Sequence, residues 1–133
     1  MAVEYAHRKN IKVVPLVGPS SILLALMASG MNGQSFTFHG YLPIDKKDRA
    51  KKIQEIEADS FRKNQTQIFI ETPFRNNILF ENLVSTCHNA TKLCVACDIT
   101  DENEFIQTKL VHEWKTQKID LHKRPAIFLI HKT

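Results

Sequence analysis

Two short segments set polar and small residues where a strand hands over to a helix. The first is Gly18-Pro19-Ser20-Ser21, between a β-branched stretch and an apolar one. A helix start offers free backbone N–H groups and a positive dipole end, which suit an anion or the polar edge of a cofactor. The plain alternative is a turn with an N-cap. The second is Glu71-Thr72-Pro73-Phe74-Arg75. Ligands of open α/β sheets gather at the carboxyl ends of strands, where a flanking Glu and Arg are well placed. The plain alternative there is a capped helix with a surface ion pair.

Other chemistry-bearing residues are less organised. Cys94 and Cys97 have the spacing of half a zinc site, but a structural zinc wants four ligands and only Cys87 and His88 lie nearby. On a strand, residues three apart face opposite sides, so buried thiols are expected and no metal. The six histidines show no metal-ligand spacing, and no carboxylate pair stands out as an acid/base couple. Glu71 is the one candidate base. Lys46-Lys47-Asp48-Arg49-Ala50-Lys51-Lys52 opens a helix with positive charge. Such a run is either a solvated face or a collector of nucleic-acid phosphates.

These residues must be positioned by alternating strands and helices, the mark of an α/β layer architecture. A helix tail is expected over 3–9, with Asn10 as its stop, then a strand over 11–17. A helix apolar on nearly every side, hence buried, should cover 22–28, capped by Ser20 and ended by Gly30. A half-buried strand is expected over 35–41, a polar helix over 48–57 and a strand over 67–71. Thr72-Pro73 then suits a helix start, with Ile78, Leu79, Leu83, Val84 and Cys87 on its apolar side. Strands over 93–97 and 104–109, a short helix over 110–117 around Trp114, and an apolar strand over 126–130 complete the pattern.

The chain has 133 residues, 43% apolar and 24% charged, with a net charge of +4. One domain of that size hides ~70% of its unfolded surface. The longest strongly apolar run covers 22–28, far short of the ~20 residues of a membrane span, so no membrane partner is expected. The first residues lack the apolar stretch of a secretory signal, and three thiols are an odd number. A reduced, cytoplasmic setting is expected, where the Asn64-Gln65-Thr66 and Asn89-Ala90-Thr91 triplets are chance matches. The mild basicity permits an RNA or phosphate partner without demanding one.

Taken in order, several stretches resemble the tetrapyrrole methylase superfamily of S-adenosylmethionine-dependent methyltransferases, in the branch of the ribosomal RNA small-subunit ribose methylases. They are Val13-Val14-Pro15-Leu16-Val17-Gly18-Pro19-Ser20-Ser21, Ala28-Ser29-Gly30, Phe38-His39-Gly40-Tyr41-Leu42-Pro43 with Arg49, Ile70-Glu71-Thr72-Pro73-Phe74-Arg75, Asp98-Ile99-Thr100 before Glu104-Phe105, and the strand from Pro125 to Ile130. The resemblance implies an α/β fold, a three-layer mixed sheet with flanking helices. It also implies the C-terminal domain of a two-domain protein, with residues 1–17 as the tail of a preceding domain and 18–133 as the domain itself. The family's Gly-rich cofactor loop has no counterpart here, so the chain alone is expected to be inactive.

The resemblance assigns S-adenosylmethionine as cofactor. It gives Pro19, Ser20 and Ser21 to the cleft floor, Ile70, Glu71 and Thr72 to the adenosine end, and Pro125 and Ala126 to the adenine. Arg49 and Arg75 fall on the substrate side. It further implies a homodimer and methylation of an RNA ribose 2′-hydroxyl. Phe74 stands where that branch tends to show His, and Asp98-Ile99-Thr100-Asp101 where it shows a Glu-Leu-Thr-Lys-like stretch. The other readings are a non-catalytic domain that dimerises or binds RNA, and a methylase of a tetrapyrrole or other small molecule.

Overall fold

The computed structural model describes every residue except Val17 and Pro19. Helix α1 (Ala2–Arg8) is followed by an irregular segment, then α2 (Ser21–Ser29), β1 (Phe36–Tyr41), α3 (Lys46–Lys63) and β2 (Thr66–Ile70). A single 3-10 turn (Pro73–Arg75) leads into α4 (Asn76–Thr86), then β3 (Lys92–Cys97), β4 (Phe105–Leu110), α5 (Val111–Trp114) and β5 (Ala126–His131).

The strands form one mixed sheet in the order β1-β2-β5-β3-β4. Only β1 and β2 run parallel; β5 is antiparallel to both β2 and β3, and β3 to β4. With a neighbour on each side and a layer on each face, β5 is buried at all six positions. On one face, Ile53 and Ile56 of α3, Leu79, Phe80 and Leu83 of α4, and Val111 and Trp114 of α5 pack on Phe69, Leu93, Val95, Phe128 and Ile130. On the other, Ala25 and Leu26 of α2 pack on Ile68, Cys94, Ala96, Ile127 and Leu129. The three-layer mixed sheet expected from the sequence is therefore present. The cysteine expectation holds in the same terms: Cys94 lies on the α2 face and Cys97 on the other, so the pair cannot chelate together.

Local chemistry explains the element ends. Asp45 accepts the Asp48 N–H (3.1 Å) at the start of α3. At its end Asn64 adopts the left-handed conformation (φ 49°, ψ 55°), one of the few side chains that tolerate it. Gly30 takes the same region at the end of α2 (φ 74°). Helix α3 outruns its expected 48–57 because Ser60 extends the buried stripe of Ile53, Ile56 and Glu57 by another turn.

Four expectations are corrected. The segment 11–16 forms no strand: it pairs with no other strand, and Ile11, Val13, Val14 and Leu16 are exposed. β-branched composition cannot hold an extended chain whose N–H and C=O groups find no neighbour. Helix α2 is not buried all round, since Leu23 and Met27 face outward. The sheet covers one side of it and nothing among the described residues covers the other. Ser20 occupies the N-cap position, but its side chain makes no capping hydrogen bond. The helix expected over 110–117 shrinks to Val111–Trp114, where Trp114 Nε1–H donates to the Leu93 carbonyl (2.8 Å).

No helix among the described residues is long and apolar enough to cross a membrane. None of their His, Cys, Asp and Glu side chains converge in a group of three or more able to hold a metal.

Candidate cofactor cavity at the sheet end

Topology brings the sequence motifs together. Because β5 runs antiparallel to β2 and β3, its beginning lies beside the carboxyl ends of both. The register pairs Ile70 with Ile127 and Cys97 with Ala126. At this end of the sheet, on the α2 face, is a cavity of about 430 Å³. Small-molecule sites are typically clefts of ~300–1,000 Å³ with mostly apolar walls and a few polar groups.

Apolar walls come from Ile22, Ile70, Pro73, Ala96, Ile99, Pro125, Ala126 and Ile127, and polar groups from Ser21, Glu71, Asp98 and Asp101. Five of the residues expected at the cofactor are therefore in one wall: Ser21, Ile70, Glu71, Pro125 and Ala126. Ser20, at the N-cap position of α2, does not line the cavity. Thr72 is exposed and outside the lining, but its N–H donates to Glu71 Oε1 (2.8 Å) and so fixes that carboxylate. Pro19 lies outside the described residues.

Glu71 is the notable polar group. The residue is only 7% exposed, and Oε2 is buried with no hydrogen-bond partner among the described residues. A buried acceptor left unpaired costs ~1–3 kcal/mol, so one behind a ligand-sized cavity is a place where a ligand donor would be welcome.

The two arginines expected on the substrate side part company. Arg49 is 5% exposed; its Nε donates to Asn82 Oδ1 (2.7 Å) and its Nη1 to the Ile44 carbonyl (3.0 Å). It ties the start of α3 to α4 and does not line the cavity. Arg75 closes the 3-10 turn, half-buried, and is likewise not in the lining.

The loop that delivers Pro125 and Ala126 is held by the Pro73 corner. Asn76 is fully buried, and its Nδ2 donates to the carbonyls of Leu121 (3.3 Å) and Arg124 (2.5 Å). Asn77 Oδ1 accepts the Leu121 N–H (2.8 Å), and the Pro73 carbonyl accepts the Lys123 N–H (3.2 Å). From the far side Arg124 Nε donates to Asp98 Oδ2 (2.7 Å) while Nη2 reaches the Asn103 carbonyl (2.9 Å). The ion pair holds a bend in which Asp98 (φ 51°) and Thr100 (φ 68°) are both left-handed. That is a costly conformation for a β-branched residue, and such strain concentrates at ligand sites.

Asp98, Ile99, Asp101, Asn76 and Arg124 were not among the expected site residues. The Asp98-Ile99-Thr100 stretch does carry the family resemblance, a signal that could have marked the first two. Nothing local marks Asn76 or Arg124, whose partners lie 48 and 26 residues away in sequence.

No family model matches the chain. Among curated proteins it is similar to the ribosomal RNA small subunit methyltransferase I of Vibrio cholerae, 31% identical over 97% of this chain and 44% of that protein. Its counterpart from Escherichia coli O157:H7 is 31% identical over 96% of this chain and 44% of its own length. The chain thus spans less than half the length of these relatives. Among solved structures, the methyltransferase CobJ superposes with a TM-score of 0.58 at 15% identity, over 99% of this chain and 56% of that one. The cobalt precorrin-4 methyltransferase CbiF gives 0.56 at 11% identity, over 97% and 56%. Those two likenesses speak for the fold, and the curated relatives for the branch. With the motif order and the strand-end cavity they lead to one conclusion: over its length this chain is similar to part of the ribosomal RNA small subunit methyltransferases I, and it has the fold of the methyltransferases CobJ and CbiF.

Proposed function

We propose that this chain is the C-terminal domain of an S-adenosylmethionine-dependent methyltransferase acting on an RNA ribose 2′-hydroxyl, with residues 1–17 as the tail of a preceding domain and 18–133 as the domain itself. The observation that carries the reading is the convergence of Ser21, Ile70, Glu71, Pro125 and Ala126 on one cavity. The cavity also fits the group. Its size suits a nucleoside, its apolar walls suit a flat base, and Glu71 offers a buried acceptor with no other partner.

When bound, the cofactor supplies a methyl group activated by a positive sulfur. The residues here hold and orient. Ile22, Ile70, Ala126 and Ile127 would enclose the base, and the Glu71 carboxylate, held by the Thr72 N–H, would accept from the nucleoside. Asn76 keeps Pro125 and Ala126 at the correct height. Positioning of this kind is a large part of the catalysis of a transfer between two bound reactants. The exposed Lys46, Lys47 and Lys51, with Arg75, face the RNA, and Arg49 acts on that side by bracing the Ile44 carbonyl.

The exposed Phe36 and Phe38, on the open edge strand β1, favour a second reading in which the domain pairs with another copy, as a homodimer or a non-catalytic dimerisation module. The setting is cytoplasmic in either case. Calorimetry with S-adenosylmethionine, on this chain and on a full-length protein containing it, separates the two. The methyltransferase reading expects weak binding by the chain and tight binding by the longer protein. Equal tight binding by both would overturn the two-domain claim, and no binding by either would leave the non-catalytic reading.

A further inference from the structure

The charges around the cavity are one-sided. Among the described residues its lining holds three carboxylates, Glu71, Asp98 and Asp101, and no Lys, Arg or His. Arg124 compensates Asp98. Neither of the others meets a cation: Glu71 Oε1 accepts a backbone N–H and Oε2 accepts nothing, while Asp101 Oδ1 accepts the Glu102 N–H (2.7 Å). Two uncompensated negative charges therefore border a nucleoside-sized space. The start of α2, at Ser21 and Ile22, opposes them with roughly half a positive charge. Two full charges outweigh it.

We infer that this cavity selects adenosine derivatives without a phosphate over adenosine nucleotides, and that Glu71 and Asp101 are the residues that exclude the phosphate. The inference rests on the cofactor reading above and adds a specificity to it. A cell holds adenosine nucleotides in quantity, and a site shaped for the base alone would fill with them. A carboxylate about 8 Å from a unit negative charge weakens binding by about twofold at the dielectric of water and about thirtyfold at that of a protein surface. A value near fivefold per carboxylate lies between these limits. A cofactor with a cationic sulfur and no phosphate meets no such repulsion.

The test is a ligand-observed NMR titration of this chain with adenosine, adenosine monophosphate and S-adenosylmethionine at about 50 mM salt, where screening is modest. Wild type should bind adenosine at least tenfold more tightly than the monophosphate. Asp101→Asn and Glu71→Gln should each shrink that ratio by about fivefold, with Trp114 fluorescence reporting that the fold is intact. A change in either variant supports the inference and assigns the exclusion to that residue. Equal or tighter binding of the monophosphate by wild type, or a ratio unmoved in both variants, overturns it. If S-adenosylmethionine binds while the ratio is one, the cofactor reading stands and only this inference falls. If neither adenosine nor S-adenosylmethionine binds this chain, the inference falls, and the cofactor reading falls with it when a full-length protein containing the chain also fails to bind S-adenosylmethionine.

Discussion

Replacing Asn76 with alanine removes the side chain that holds the 121–125 loop to the Pro73 corner. Two hydrogen bonds are lost, to the carbonyls of Leu121 and Arg124. Each neutral hydrogen bond contributes ~0.5–1.5 kcal/mol net, and a buried carbonyl left unpaired costs more. Leu121 is fully buried, whereas Arg124 lies nearer the surface, where water can replace the lost donor. The expected loss is about 2 kcal/mol. Unfolding entropy of roughly 2.1 cal/mol/K per residue comes to about 280 cal/mol/K for this length, so Tm should drop by about 7 °C. Trp114, the single tryptophan and a buried one, reports the melt by fluorescence. Because the loop ends at Pro125 and Ala126, adenosine should also bind several-fold more weakly at temperatures well below the melt. A Tm within about 2 °C of wild type with unchanged adenosine binding would refute the bracing role of Asn76.

The remaining predictions concern other buried groups. Glu57 is 4% exposed and its Oε2 accepts the His88 N–H (2.9 Å) and the Thr91 hydroxyl (2.6 Å), clamping the turn between α4 and β3 onto α3. Glu57→Ala strands both donors and should cost about 3 kcal/mol in urea unfolding, with Glu57→Gln, which keeps an acceptor oxygen, costing less. A loss below about 1 kcal/mol for the alanine variant would remove the clamp from the account. Burial raises all three thiols above their ordinary range, and Cys97 is pushed up to about 11. In the native state they should resist a thiol-specific disulfide reagent at pH 8 and react fast once unfolded. Since the folded value of Cys97 lies above the ordinary 9.0, its contribution to stability is complete below pH 9 and declines as pH rises from about 9 to about 11. Prompt native-state labelling of all three thiols, or stability rising across that window, would contradict this.

Periodicity and local turn chemistry read most of the elements correctly, because those signals act within a few residues. Gly30 ends its helix through its own backbone freedom, and the Thr72-Pro73 corner turns wherever the rest of the chain goes. The segment 11–16 shows the limit of such signals. Its residues favour an extended chain, but a strand is a relation between two chains, and no partner lies beside it. Helix α2 shows it again: apolar residues on every side said nothing about how many sides the sheet would cover.

The candidate site divides the same way. Residue types alone marked the corners at Ser21 and Glu71, since caps, prolines and strand ends carry local signatures, whereas Pro125 was marked only by the family resemblance. That these corners share a cavity follows from β5 running antiparallel between β2 and β3, a choice made by long-range pairing. The acidic bend at Asp98 and Asp101, the brace from Asn76 and the ion pair of Arg124 belong to tertiary structure too. Arg49, which the resemblance put on the substrate side, is occupied by Asn82 and Ile44. A side chain's chemistry is written in its identity, but its partner is set by which distant segments the folded core presses together.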